Sequence, residues 1–140
     1  SSAKADLRTV HMLEEILLQL SEQPADRYEE PFPIREIRRI AADIELHPFR
    51  NFDWAETAKK IGVSYPHFRK LFHDTIKMPP AHFLLQKKLE KSTAMLRSGD
   101  RKVEEIAESC EFYDGFHFAK LFKKYYGMTP GQYRKNHALK

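Results

Sequence analysis

The chain has 140 residues, 41% of them apolar and 31% charged, a balance that suits a globular domain with a buried core. Its one cysteine, Cys110, excludes an internal disulfide framework and fits a reducing cytoplasm, and no apolar stretch approaches the roughly 20 residues of a membrane-spanning helix. Residues 1–33 carry three Lys/Arg against seven Asp/Glu, whereas residues 34–140 carry 21 against 13, a distribution typical of nucleic-acid binders but also of ordinary basic domains.

Apolar residues recur at helical spacing throughout, while β-type alternation and hairpin dipeptides are nearly absent, so an all-α protein is predicted. The first helix is predicted over residues 5–20. Its apolar stripe comprises Val10, Leu13, Leu17 and Leu20. The stripe is compatible with a short coiled-coil seam, or with packing on its own domain or on a neighbouring one. Residues 21–33 are acidic, contain three prolines and are predicted to form a linker.

The next three helices are predicted from apolar spacing and from capping residues. A helix over about residues 34–46 turns four small or branched side chains inward, namely Ile37, Ile40, Ala41 and Ile44. Asp53 is expected to cap a short helix over residues 54–61, because its carboxylate can accept from free amides of the first turn. Ser64 is expected to cap another helix that ends near Thr75.

The second half of the chain predicts a long helix followed by a second set of short ones. The long helix runs over residues 81–97 and is expected to stop at Gly99 in a left-handed turn. Asp100 is expected to open the helix that ends near Cys110, and Asp114 the helix that ends near Tyr125. Pro130 begins a final helix.

Residues 104–134 nearly repeat residues 55–83. The offset is 49 up to Phe112 and 50 from Asp114 onward, which makes Tyr113 the extra residue in the turn. Each copy reads as a helix, a turn and a second helix whose apolar stripe must face a core, Phe68, Leu71 and Phe72 in one copy and Phe118, Leu121 and Phe122 in the other. Two helix-turn-helix units on one basic chain indicate a protein that holds DNA at two points.

The outward positions of the two second helices, residues about 64–75 and 114–125, carry the predicted DNA contacts. We expect base contacts in the major groove from Tyr65, Pro66, Arg69, Lys70, Phe116, His117 and Lys120. We expect backbone contacts from Ser64, His73, Lys123 and Lys124. The first helix is expected to discriminate sequences more, and the second to supply shape and backbone affinity. The alternative for Arg69 and Lys70 is a merely solvated face.

A helix of 17 residues spans roughly 25 Å, and with its flanks it could set the two units about one DNA turn, roughly 34 Å, apart. The two second helices would then enter successive major grooves from one side of the duplex. Such a spacer requires either bending of the DNA or imperfect seating of one helix.

Residues 34–140 resemble the DNA-binding domain of the AraC/XylS-type bacterial transcription regulators. The matching positions are densest in Val103-Glu-Glu-Ile-Ala107, Phe112, Asp114, Phe118, Lys120, Phe122-Lys-Lys124, Gly127-Met-Thr-Pro130 and Tyr133-Arg134. In the first copy they are Ala58, Gly62-Val-Ser64, Phe68, Leu71-Phe72 and Pro80. One departure is that the glycine such families place before Phe112 is Glu111 here, which is expected to stiffen that turn.

The resemblance implies seven helices, with homeodomain-like three-helix units at residues 34–80 and 100–140 joined by a linker helix at 81–97. It further implies control of transcription, usually activation, with double-stranded DNA and RNA polymerase as partners. Family members usually carry a sensor domain for a small-molecule effector ahead of this part. Residues 1–33 cannot contain one, so the chain is expected to be the C-terminal portion of a longer protein, with homodimerisation through the N-terminal region.

Other functions have weaker support in the sequence. The seven histidines show no pair at metal-ligand spacing, and no Walker loop, dinucleotide fingerprint or nucleophile elbow is present, so neither a metal, a cofactor nor catalysis is expected. Cys110 aligns with Ile61 and is expected to be a small buried apolar residue. Two alternatives to a regulator stay open, namely a non-specific architectural DNA-binding protein and a helical protein-interaction module.

Overall fold

The computed structural model describes residues 9–16 and 29–137. The chain divides into two compact units between Pro31 and Phe32. In the first unit, residues 9–16 are helical and expose four apolar side chains, Val10, Met12, Leu13 and Ile16. The rest of the predicted first helix, with Leu17 and Leu20, and most of the predicted linker lie outside the described residues.

The second unit contains seven α-helices. They are α1 (Phe32–Leu46), α2 (Trp54–Lys60), α3 (Tyr65–Ile76), α4 (Pro80–Ser98), α5 (Val103–Ser109), α6 (Gly115–Tyr126) and α7 (Pro130–His137). Residues 9–16 and 29–137 contain no strand, which confirms the all-α prediction and the seven helices that the resemblance implies. Helix α1 begins at Phe32, two residues before its predicted start at residue 34.

Side-chain caps begin three of these helices where the sequence predicts them. The carboxylate of Asp53 accepts from the Glu56 amide at 3.1 Å, and the Ser64 hydroxyl accepts from the His67 amide at 3.3 Å. The carboxylate of Asp114 accepts from the His117 amide at 2.7 Å. Each cap satisfies an amide that has no partner within its helix, which fixes where α2, α3 and α6 begin.

The predicted roles of Gly99 and Asp100 are wrong. Gly99 has φ −159° and ψ −178°, so the chain leaves α4 in an extended conformation rather than a left-handed turn. The following helix starts only at Val103, three residues after Asp100, and Lys102 precedes it without a side-chain cap. The cause is tertiary, because Arg134 of α7 donates from Nε to the Leu96 carbonyl at 3.1 Å and from Nη2 to the Arg101 carbonyl at 2.5 Å. These bonds connect α7 to both ends of the segment between Leu96 and Arg101, in which Gly99 is extended.

The internal repeat is reproduced in the helix boundaries. The bounds of α2 and α5 differ by 49 positions, whereas those of α3 and α6 differ by 50. The turns match as well, since the Val63 amide donates to the Ala58 carbonyl at 3.1 Å and the Phe112 amide to the Ala107 carbonyl at 2.9 Å. The residue inserted between the two offsets is therefore Tyr113, in the turn before Asp114.

Each repeat surrounds its own apolar core. The first core is built by α1, α2, α3 and the start of α4, and its buried members are Ile37, Ile40, Ala41, Ile44, Ala58, Ile61, Phe68, Phe72 and Phe83. The second is built by α4, α5 and α6, and its buried members are Leu89, Leu96, Ile106, Ala107, Cys110, Phe112, Phe118 and Phe122. The inward stripes predicted for α1, α3 and α6 are confirmed, with Leu71 and Leu121 partly buried at the edges of their cores.

The second half of α4 is the first helix of the second repeat, where it corresponds to α1 of the first repeat. The sequence does not predict this role. The buried positions of α1 recur 52 residues later in α4, at Leu89, Ser92, Thr93 and Leu96. The two hydroxyls are compatible with burial because Ser92 donates to the Leu89 carbonyl and Thr93 to the Glu90 carbonyl, both at 2.6 Å. Helix α4 is thus a shared element rather than a free spacer.

Contacts of α4 join the two cores. Leu84 packs against the first core and its neighbour Leu85 against the second, and Phe49, from the loop after α1, also packs against the second core. Lys87 adds ion pairs at 3.3 Å with Glu45 at the end of α1 and with Glu90 on α4. Partial burial lowers the pKa of Lys87, but the two carboxylates more than offset that effect and the net pKa is raised.

Four residues end helices or turns with a positive φ, and two of them are not glycine. In the first repeat Gly62 has φ 79° and Lys77 has φ 74°, and in the second repeat Glu111 has φ 58° and Gly127 has φ 76°. The aligned pairs are Gly62 with Glu111 and Lys77 with Gly127, so each repeat has glycine at one left-handed position and a side chain at the other. Left-handed backbone costs a residue with a Cβ about 1 kcal/mol relative to glycine.

We predict that Glu111→Gly and Lys77→Gly each raise the free energy of unfolding by about 1 kcal/mol, because glycine removes the steric cost of the positive φ. Gly62→Ala and Gly127→Ala are the matched controls and should lower the free energy of unfolding by a similar amount. A Cβ at either glycine meets no atom within 4 Å, so the expected cost comes from the positive φ alone. Urea unfolding followed by circular dichroism measures all four. An unchanged midpoint in both glycine variants would contradict the assignment of strain.

Cys110 is fully buried in the second core, as predicted from its alignment with Ile61. Desolvation raises the pKa of its thiol to about 11, with Lys88 and Arg101 lowering it only in part. Between about pH 9 and pH 11 the folded chain therefore keeps a proton that the unfolded chain releases, so stability falls as the pH rises through that window. Below about pH 9 both states are protonated and the contribution is constant.

We predict that the Cys110 thiol resists a disulfide-exchange reagent at pH 8 in the folded protein but reacts at once in concentrated guanidinium chloride. Burial keeps the reagent away from the sulfur and disfavours the reactive thiolate, and unfolding removes both effects. We also expect the free energy of unfolding to fall from pH 9 to pH 11 more steeply than in Cys110→Ala. Parallel slopes for the two proteins would show that the thiol does not contribute.

Candidate nucleic-acid interface

The outward face of α3 is fixed by the side chains that this helix buries. Phe68 and Phe72 have no exposed surface, and at about 100° per residue the opposite face is the row Pro66, Lys70 and His73. All three are exposed, and together with Arg69 and Pro79 they line a shallow surface depression. Aromatic packing holds the helix in place, since the rings of Trp54 and Phe68 stack with centroids 6.2 Å apart.

The outward face of α6 is fixed in the same way. Phe118 and Phe122 are fully buried, so the opposite row is Phe116, Lys120 and Lys123, and all three are exposed. The ring of Phe122 contacts Tyr126 and Tyr133 with centroids 4.6 Å and 5.5 Å away, which ties α6 to α7. The row on α6 aligns position by position with the row on α3 at an offset of 50.

All eleven residues predicted to contact DNA are exposed side chains on α3, on α6 or at their caps. Three of them also make contacts within the protein. The Ser64 hydroxyl caps α3, and the ring of His73 lies 3.7 Å from the carboxylate of Asp74. The ring of His117 packs edge-on against Phe112 with centroids 6.3 Å apart, and it lines a groove with Leu85 that leads away from the outward row.

Gly115 has a structural reason to lack a side chain. It aligns with Tyr65 of the first repeat, but a Cβ on Gly115 would lie 3.1 Å from Cγ and 3.5 Å from Cα of Glu104. The tight contact is with Cγ of the Glu104 side chain, which would have to shift by a few tenths of an ångström, whereas the contact with the α5 backbone is an ordinary van der Waals distance. The packing of α5 therefore disfavours a counterpart of Tyr65 at this position.

The electrostatics of the two outward faces differ. Helix α6 carries Lys120, Lys123 and Lys124 and has no carboxylate anywhere in its sequence. Helix α3 carries Arg69 and Lys70 but also Asp74, one residue after His73. Both faces can hold phosphate, and the α6 face is the more uniformly cationic.

Arg134 and Arg97 position this interface, and the sequence analysis assigns them no such role. Arg134 bonds the end of α4 and the loop before α5, as described above, and Arg97 on α4 donates to the Tyr133 hydroxyl at 2.9 Å. These bonds dock α7 on α4 beside the second core. A further signal was readable in the sequence, since Thr129 and Gln132 form a reciprocal capping box at the start of α7, with distances of 3.0 Å and 3.2 Å.

The described ranges contain no group of three or more metal-ligating side chains placed to hold a metal ion. No helix in these ranges is long and apolar enough to cross a membrane.

Comparison with known protein families identifies this arrangement. A family profile described as a helix-turn-helix domain matches residues 57–136, which include both helix-turn-helix units. The chain belongs to the AraC-type family of helix-turn-helix transcription regulators. The matched residues are the helix-turn-helix domain of that family. The fold class and the family predicted from the sequence are thereby confirmed.

Two bacterial relatives show the similarity at the level of sequence. An uncharacterised HTH-type transcriptional regulator of Haemophilus influenzae is 33% identical over 110 residues, which cover 77% of this chain and 37% of the relative. The transcriptional activator RhaR of Yersinia pestis is 26% identical over an alignment of 140 positions, covering 96% of this chain and 48% of the relative. The chain thus spans less than half the length of these relatives.

Two solved structures show the same fold. An AraC-type regulator from Chromobacterium violaceum superposes with a TM-score of 0.66 at 20% identity, covering 74% of this chain and 93% of that one. The DNA-binding domain of the global transcriptional factor AdpA, solved in complex with a target DNA, gives a TM-score of 0.64 at 23% identity and covers 76% of this chain and 93% of that one. Both confirm the two helix-turn-helix subdomains of this chain.

Proposed function

We propose that this regulator places α3 and α6 in successive major grooves of one duplex and activates transcription from that site. The observation that carries the proposal is the pair of matched outward rows, Pro66, Lys70 and His73 on α3 and Phe116, Lys120 and Lys123 on α6. At 1.5 Å per residue the 19 residues of α4 extend about 28 Å, which is comparable to one turn of B-DNA. The similarity to an activator, RhaR, supports activation over repression.

The two helices divide the work of recognition in this proposal. On α3, Arg69 and Lys70 donate to guanine O6 and N7, while Tyr65 and Pro66 add apolar contacts with the floor of the groove. On α6, Phe116 and Lys120 face the bases, and Lys123 and Lys124 bind phosphate. Ser64 and His73 bind phosphate beside α3. His117 remains a candidate base contact at the edge of the α6 face, where Phe112 limits its reach.

The protein partner we propose is RNA polymerase in the bacterial cytoplasm, and the effector is a small molecule that acts on a sensor domain outside this chain. Recruitment of polymerase is the usual route by which a bound activator raises transcription. Neither partner is needed for DNA binding, because the two recognition helices are folded and exposed within residues 29–137.

The function is tested by selecting duplexes from a random pool with the chain and measuring affinities at two salt concentrations. A sequence-specific regulator should prefer the selected site over random duplex by about 4–10 kcal/mol, and both affinities should fall steeply with salt. Equal binding to all duplexes would instead favour an architectural protein. Absence of binding would favour a protein-interaction module.

We predict that Arg69→Ala weakens binding to the selected site by about 1–3 kcal/mol and relaxes the preference at one base pair, because it removes a bidentate contact. Lys123→Ala should weaken all duplexes alike and reduce the salt slope by about 1, because it removes one phosphate contact. Lys91→Ala, which removes the same charge from an exposed position of α4, is the control. Identical effects of R69A and K123A on selected and random duplexes would contradict this division.

We further propose that the N-terminal helical segment pairs with a second copy of the chain. Residues 9–16 expose Val10 and Leu13 at the three-residue step of a coiled-coil seam. Leu13→Asp should shift the dimer to monomer in sedimentation measurements, because it buries a charge in the seam. Met12→Asp, on the adjacent face, is the control and should leave the dimer intact. A monomeric parent chain would contradict the proposal.

A further inference from the structure

Phe116 is an unusual side chain for a solvent-exposed position. It is the second residue of α6, and 81% of its surface is exposed, more than any other large apolar residue in the described ranges except Tyr113 at 90%. The other members of its outward row, Lys120 and Lys123, are charged, so this ring is the one apolar side chain of that row. A partner that covered the ring would gain about 25 cal/mol for each Å² of apolar surface removed from water.

The place of Phe116 in the helix limits what that partner is. Phe116 lies opposite the buried pair Phe118 and Phe122, and Lys120 and Lys123 follow it one and two turns further along the same row. Phe116 lies at the N-terminal end of the row, and the two lysines follow it. Such a row is complementary to a partner surface that presents negative charge next to a small apolar area. An acidic protein surface offers the first property, whereas the DNA major groove offers both.

The groups around the ring favour the bases over the phosphates. The Asp114 carboxylate, two residues earlier, accepts the His117 amide at 2.7 Å, and Glu104 packs against Gly115. Glu111 adds an exposed carboxylate that lines one groove with Tyr113 and His117. These carboxylates weaken the attraction of this end of α6 for phosphate, whereas they do not oppose contact with the apolar feature of the major groove, the 5-methyl group of thymine.

The first repeat shows that this feature belongs to α6 alone. Pro66 takes the position of Phe116 on α3, and the flanking Arg69 has only Ala119 as its counterpart. Helix α6 thus loses the guanidinium that reads guanine and gains a large apolar ring at its N-terminal end. The chemistry of the two helices favours different bases, since α3 suits guanine and α6 suits thymine.

We propose that Phe116 is a specificity-determining residue that reads the 5-methyl groups of pyrimidines in the major groove. The inference rests on the proposed function, because it requires α6 to enter that groove. The ring covers one or two thymine methyl groups in the half-site under α6, and it accepts 5-methylcytosine in the same place. Lys123 and Lys124 hold the adjacent phosphates while the ring makes the contact. Insertion of the ring between base pairs, as apolar wedges do in the minor groove, would not depend on the methyl group.

The test uses the chain and its selected duplex, with deoxyuridine replacing thymidine one position at a time. Each replacement removes a single methyl group and leaves the base pair intact. At the contacted positions we expect affinity to fall about fourfold per methyl group, the factor that corresponds to burial of one CH₂. In Phe116→Ala the same replacements should have no effect. Thymidines in the half-site under α3 should show no dependence on Phe116.

The matched control is Tyr113→Ala, which removes an equally exposed aromatic side chain that precedes α6 and does not belong to its outward row. This variant should keep the full uridine effect of the parent chain. A second arm replaces a cytosine at a contacted position by 5-methylcytosine, and the parent chain should bind the methylated duplex more tightly than F116A does. Because the side chains removed are exposed, thermal unfolding should be unchanged in both variants.

Two results would overturn the inference. The first is a uridine effect that persists undiminished in F116A, which would assign the methyl contact to another residue. The second is F116A binding every duplex like the parent chain while losing activation in a reconstituted transcription assay, which would assign the ring to a protein partner. In both cases the chain still selects a duplex, whereas failure of the proposed function would leave no selected duplex at all.

Discussion

Burial of two phenylalanines one turn apart in each recognition helix is the constraint on which the rest of the structure depends. Phe68 and Phe72 are inaccessible to solvent in the first repeat, and Phe118 and Phe122 are inaccessible in the second repeat. Each pair fixes the rotation of its helix about its own axis, and with it the three positions that must face outward. The two outward rows are therefore a consequence of core packing.

Helix α4 couples the two units because it belongs to both cores. Phe83 is buried in the first core and Leu89 and Leu96 in the second, while neighbouring Leu84 and Leu85 pack on opposite sides. If α4 packed against only one of the two cores, the two repeats would be independent domains joined by a linker. A helix with apolar faces at each end instead sets the relation between α3 and α6 through packing, supported by Phe49 and by the ion pairs of Lys87.

The two repeats have diverged in ways that follow from packing in one case and from surface chemistry in another. The packing of Glu104 on α5 against Gly115 disfavours a larger side chain there, and α5 begins without a side-chain cap, whereas Asp53 caps α2. Glycine and a longer side chain have exchanged places at the two left-handed positions of each unit. At Phe116, by contrast, 81% of the side chain is exposed, and packing within the described residues does not account for the ring.

The sequence by itself determined the helices, the repeat and the two outward faces, because capping side chains and apolar spacing act over three or four residues. Asp53, Ser64 and Asp114 each cap the helix that follows, although Asp100, predicted in the same way, does not. Only the tertiary structure decided the extended exit at Gly99, the late start of α5 and the dual role of α4. Those features depend on Arg134, Leu85 and Phe49 reaching partners far away in the chain, and local patterns carry no information on such contacts.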